Sequence, residues 1–210
     1  MKISYTLLTD GSSDRAFIPV LNWLIRELRA EADIQAKWAD MFRLPIAPAS
    51  LAERIEKSVE LYPCDLLFIH RDAEREPLAT RKTEITRALA EARKGMVVPP
   101  AVCVIPVRMM EAWLLFDELA IRHAARNPNG SQPLALPKLK TVESIPDPKQ
   151  LLYECLRTAS GLKGRRLSNF DEHSAVHLVV ERIKSFAPLR SLPAFRALEA
   201  ELKVTLKNHF

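Results

Sequence analysis

Apolar positions in the first half of the chain alternate between short continuous runs and spacings of three and four. Ile3 to Thr9 is a β-rich run, and Phe17, Val20, Leu21, Leu24, Ile25 and Leu28 then recur on one helical face. The pattern predicts a strand over 3–9, a helix over 13–30 and a second strand over 33–39, where Ile34, Ala36 and Trp38 alternate with polar residues. A connector with Pro45 and Pro48 follows, and Ser50 starts a short helix that ends by residue 61, before Pro63. Strand three is expected at 65–70, and helix three at 77–94, with Pro77 in its first turn and Gly95 as its stop. Strand four covers 101–107, and helix four covers 109–126 with Met110, Trp113, Leu114 and Ile121 on its apolar side. Residues 127–146 are turn and loop chemistry, followed by helices near 147–159, 171–186 and 191–207. Such alternation implies an α/β fold, with a mainly parallel central sheet flanked by helices and right-handed crossovers. The chain then divides into a core at 1–126 and a helical C-terminal extension at 127–210. That extension is expected to pack on the core, because three helices this short would be marginal alone.

The strand ends carry the chemistry. Leu66–Ile69 is a buried-strand run that stops abruptly in His70-Arg71-Asp72-Ala73-Glu74-Arg75-Glu76. In an open α/β sheet, ligands bind in the crevice beyond the carboxyl ends of the strands. A carboxylate pair there, Asp72 and Glu74, suits a hard cation such as Mg2+ or Mn2+; the plainer reading is a solvated loop compensated by Arg71 and Arg75. Asp10-Gly11 follows strand one, where glycine permits a tight turn and Ser12 or Ser13 can cap the next helix. If strands one and three are neighbours, Asp10, Asp72 and Glu74 converge, and a cation would relieve their mutual repulsion. Asp14 reads as a helix-dipole charge. Glu111, a few residues past strand four, either completes the acidic cluster or serves the same dipole role. His70 is a general base, a ligand or an orienting group.

These residues resemble the Toprim domain of topoisomerases, primases and certain nucleases, in which an acid followed by glycine ends the first strand and acid-x-acid ends a later one. Here Asp10-Gly11 and Asp72-Ala73-Glu74-Arg75-Glu76 stand in those places, with Asp10 where glutamate is usual and Glu74 where aspartate is usual. Further segments resemble the bacterial domain-of-unknown-function family 4276, a Toprim-like group. They are Val104-Ile105-Pro106-Val107, Met110-Glu111-Ala112-Trp113-Leu114-Leu115, Pro146-Asp147-Pro148-Lys149 and Leu192-Pro193-Ala194-Phe195-Arg196. The resemblance implies a Toprim-like fold and metal-dependent action on nucleic acid, beside a partner ATPase in phage defence or DNA repair. The expected activity is phosphodiester hydrolysis by a nuclease, with Asp10, Asp72 and Glu74 on Mg2+ or Mn2+ and with Glu111 and His70 supporting. The rival expectation is a non-catalytic module that binds nucleic acid or a partner ATPase.

Charge refines the choice of partner. Residues 1–117 hold 16 Lys and Arg against 17 Asp and Glu, whereas residues 118–210 hold 15 against 9. Lys163, Arg165 and Arg166 form a basic loop, and with Arg71 and Arg75 they are the expected phosphate contacts. No run approaches the about 20 apolar residues that a membrane span needs, and no signal-peptide pattern opens the chain. The dispersed Cys64, Cys103 and Cys155 suit a reducing compartment, so a cytoplasmic location is expected. There is no Walker P-loop.

Overall fold

The computed structural model describes residues 1–210. Strands β1 (Lys2–Leu8), β2 (Asp33–Trp38), β3 (Leu66–His70) and β4 (Ala101–Val104) form one all-parallel sheet in the order β2-β1-β3-β4. Side chains alternate between sheet faces along a strand, so strands this apolar must be covered on both sides. Tyr5, Leu7, Leu66, Phe68, Val102 and Val104 face α1 (Phe17–Leu28), whose Phe17, Val20, Leu21, Leu24 and Ile25 are buried against them. Leu8, Leu67, Ile69 and Cys103 face the opposite way. There they meet Ile55 of α2 (Leu51–Leu61) and Ile85 and Leu89 of α3 (Leu78–Gly95). The result is a helix–sheet–helix sandwich consistent with a Toprim-like fold.

The C-terminal helices extend the core on the α1 side. α4 (Glu118–Ala124), α5 (Pro148–Ser160), α7 (Glu172–Arg182) and α8 (Pro193–His209) place Ile121, Leu152, Leu156, Val179, Phe195 and Leu202 in the same continuous cluster as β1 and β3. α6 (Gly164–Ser168) is a short surface helix between α5 and α7. Trp113 sits at the centre, edge-on to Phe17 at 5.6 Å and to Phe195 at 5.2 Å. Each such pair contributes about 0.5–1.5 kcal/mol beyond area burial. α8 also shields the sheet edge at β4: the Cys103 amide donates to Glu201 Oε1 at 2.9 Å, and Lys82 pairs with the same carboxylate. An amide that would otherwise be an open edge is thereby satisfied.

β4 ends at Val104 and not at 107, the helix expected over 171–186 ends at Arg182, and Arg165 and Arg166 lie on the short helix α6 and not in a loop; two further elements differ more sharply. The first helix opens with a tight turn at Ser13–Ala16 and becomes α-helical only at Phe17. Neither Ser12 nor Ser13 supplies the cap; the Asp14 carboxylate accepts the Gly11 amide at 2.8 Å and closes the turn itself. The predicted helix over 109–126 is divided into a tight turn at Met110–Leu114 and α4. Asp117 causes the division by accepting the Ala120 amide at 2.9 Å, which restarts the chain as a new helix N-terminus. No helix is long and apolar enough to cross a membrane.

Candidate functional site

Register brings three strand ends together. Leu8 pairs with Ile69, and His70 pairs with Val104, so β1, β3 and β4 finish side by side. Beyond β3 the ladder continues irregularly: the Arg71, Ala73 and Glu74 amides donate to the Val104, Pro106 and Arg108 carbonyls. Pro106 has no N–H to return, which ends regular pairing at β4. Glu74 and Arg108 both take left-handed backbone conformations (φ 53° and 67°), a cost of about 1–2 kcal/mol each for side-chain-bearing residues. Three backbone hydrogen bonds thus hold the acidic segment against the β4 exit.

His70 is the hub of this crevice. Its ring is fully buried beside the Phe17 ring, with centroids 4.7 Å apart. Nε2 lies 3.1 Å from Asp72 Oδ1, and Nδ1 lies 3.3 Å from Asp14 Oδ2. The second contact is the longer and less well aligned of the two, a weak hydrogen bond reinforced by charge. Burial alone would drive the imidazole towards neutrality, but hydrogen bonding and charge from Asp14 and Asp72 outweigh it and push its pKa up to about 9. Asp14 responds in kind. Burial would raise its pKa, yet His70, the Gly11 amide and Ser13 Oγ together hold it below the usual aspartate value. His70 is therefore an imidazolium clamped between two carboxylates.

Glu111 lies against the same group. It is buried, its ion-pair partner is Lys149 Nζ at 3.6 Å, and its pKa is raised, mainly by burial, with Asp72 and Asp14 adding repulsion against the favourable Lys149 charge. Lys149 stands on the first turn of α5, which the Asp147 cap starts by accepting the Gln150 amide at 2.8 Å. Behind Lys149, Tyr153 Oη meets His173 Nδ1 at 3.0 Å, a polar path leading away from the crevice.

The expected trio is only partly assembled. Asp72 enters the crevice, with Oδ1 on His70 and its side chain 29% exposed. Asp10 is instead held between Arg54 Nη1 at 2.8 Å and Arg71 Nε at 2.7 Å. Arg54 also donates to the Thr9 carbonyl. Glu74 is largely exposed and pairs with Arg81 Nη2 at 3.1 Å. Arg71 is therefore an internal ion-pair partner as placed. Arg75 is exposed and lines an open groove of about 430 Å³ with Arg81, Arg108 and Pro146. Lys163, Arg165 and Arg166 lie on or beside α6, exposed and outside the strand-end crevice. Asp14 and Lys149 were missed as site residues. The signal for Asp14 was its placement one turn past Asp10, where the tight helical entry rotates it towards β3.

These positions decide how a cation could be held. No three His, Cys, Asp or Glu side chains are grouped as a protein-only metal cage requires. Mg2+ does not need such a cage: it keeps several waters and is commonly bound by one or two carboxylates plus a substrate phosphate. Asp72 and Glu111 are the oxygen donors of this crevice, and the Asp72 charge adds to burial in raising the Glu111 pKa. Comparison with protein-family models, curated proteins and solved structures finds no match. The functional reading accordingly rests on the residues and their geometry.

Proposed function

We propose that the strand-end crevice is the centre of a metal-assisted phosphodiesterase acting on DNA or RNA. The carrying observation is the pairing of Asp72 with a fully buried His70–Asp14 clamp, beside the buried acid Glu111. Asp72 and Glu111 would hold Mg2+ or Mn2+, which when bound supplies phosphoryl charge neutralisation and a more acidic water. His70 keeps one oxygen of Asp72 engaged and fixes the direction of the other. Asp14, anchored by the Gly11 amide, keeps the imidazole charged and oriented. Lys149, more than one-third exposed, presents a cation at the crevice rim, where a phosphate oxygen would arrive. Asp10 and Glu74, on their arginines, brace the loops that frame the site.

The test is cleavage of labelled single- and double-stranded oligonucleotides in Mg2+ or Mn2+, with melting temperature followed as the metal is titrated. Wild type should cleave and be stabilised, and Asp72→Ala should do neither. Retained cleavage by Asp72→Ala sinks the assignment. The binding-module reading draws support from the arginines that neutralise Asp10 and Glu74. It predicts nucleic-acid binding that is indifferent to metal and to Asp72→Ala.

A further inference from the structure

A second cavity, of about 420 Å³, opens among α4, α5, α6 and α7, and its volume falls within the range of small-molecule sites. It is separate from the acidic crevice. Lys149 marks the crevice end of α5 and Ser160 the cavity end, about 16 Å apart at 1.5 Å per residue. Ala124, Ala125, Leu162, Phe170, Ala175 and Leu178 make its apolar lining, and Arg126 and Arg166 stand at its mouth.

Pairing is more complete at the strand ends than around this cavity. At the strand ends Arg54, Arg71 and Arg81 are each bound to a carboxylate, and Arg75 and Arg108 are not. Around the cavity, Arg126, Lys163, Arg165 and Arg166 have no ion-pair partner within the molecule, as the salt bridges of this end involve Arg122 and Arg157 instead. The one acid of the lining, Asp171, is committed to capping α7, accepting from the Ser174 amide and hydroxyl.

The backbone adds an independent observation. Arg126 ends α4 in the left-handed conformation (φ 58°), a position that glycine or asparagine normally fills. An arginine there costs stability that glycine would not, and its side chain lines the cavity. Strained non-glycine residues of this kind cluster at ligand clamps.

We infer that this cavity is a nucleotide-binding pocket, in which the apolar lining takes the base and Arg126 and Arg166 take the phosphate. Arginine suits phosphate through its planar, two-pronged donor geometry, and Phe170 offers a ring for base contact. The nucleotide is either free or the terminal unit of a strand. The strand-end source rests on the proposed nuclease reading; the pocket itself does not.

Isothermal titration calorimetry on the full chain, with a 5′-nucleoside monophosphate and with inorganic phosphate, tests this directly. Wild type should bind the nucleotide more tightly than phosphate. Arg126→Gly and Arg166→Ala should each weaken it about tenfold or more, the scale of one charge-assisted hydrogen bond. Arg126→Gly should melt no lower than wild type, so lost binding cannot be ascribed to misfolding. A short single strand with a 5′-phosphate should outcompete its 5′-hydroxyl counterpart if the strand end is the source; equal affinity of strand and free nucleotide assigns the free form. Unchanged binding in both variants, no binding at millimolar nucleotide, or phosphate binding as tightly as nucleotide overturns the inference. Absence of cleavage with nucleotide binding intact would remove the nuclease reading and leave the pocket standing.

Discussion

His70→Gln is the substitution that tests the electrostatic core of the site, because glutamine keeps hydrogen-bonding capacity between Asp14 and Asp72 but carries no charge. A folded-state pKa of about 9 against an unfolded value of 6.5 is worth about 3 kcal/mol of stability. The sign follows from proton uptake. Because the folded imidazole binds its proton more tightly, the contribution is full below pH 6.5 and disappears as pH rises through about 9. Urea unfolding at pH 6 and pH 10 should then show wild type losing about 3 kcal/mol more than His70→Gln over that interval. The comparison between proteins is essential, since the Cys103 and Cys155 thiols, pushed up mainly by burial to about 12 and about 11, also lower stability at high pH. Those thiols act equally in both proteins and cancel. Parallel stability-against-pH curves for wild type and variant would refute the clamped imidazolium.

The remaining expectations concern the site and the core. Glu111→Gln should raise the melting temperature at neutral pH by removing a buried charge whose pKa is raised mainly by burial, while reducing metal-stimulated cleavage by about tenfold or more. A double-mutant cycle on Arg71 and Asp10 should return a coupling below about 1 kcal/mol, because both side chains remain partly exposed. Trp113→Ala should cost about 3–5 kcal/mol in urea unfolding, since the ring is fully buried between Phe17 and Phe195. Glu201→Ala should cost about 1–3 kcal/mol by leaving the Cys103 amide without its acceptor.

Local pattern was sufficient for much of this molecule. Strand runs such as Leu66–Ile69, and the three-and-four spacing of Phe17 to Leu28, are properties of neighbouring residues, and both elements form where expected. Alternating strand and helix then leaves few topologies, because crossovers are right-handed and apolar strands require cover on both faces. Asp72 was legible as a strand-end acid for the same reason: its position relative to β3 is set within a few residues.

Which charges meet was settled by the tertiary structure alone. Asp10 and Asp14 are four residues apart, yet a tight turn in place of regular helix directs one towards Arg54 of α2 and the other towards His70 of β3. Lys149 reaches Glu111 only because α5 packs back over the β4 exit. Arg126 gains its interest from a left-handed helix end and a cavity floored by residues from four helices. Charged side chains carry no periodicity that reveals their partners. Their pairing depends on long-range proximity and burial, which the order of residues leaves open until the chain has folded.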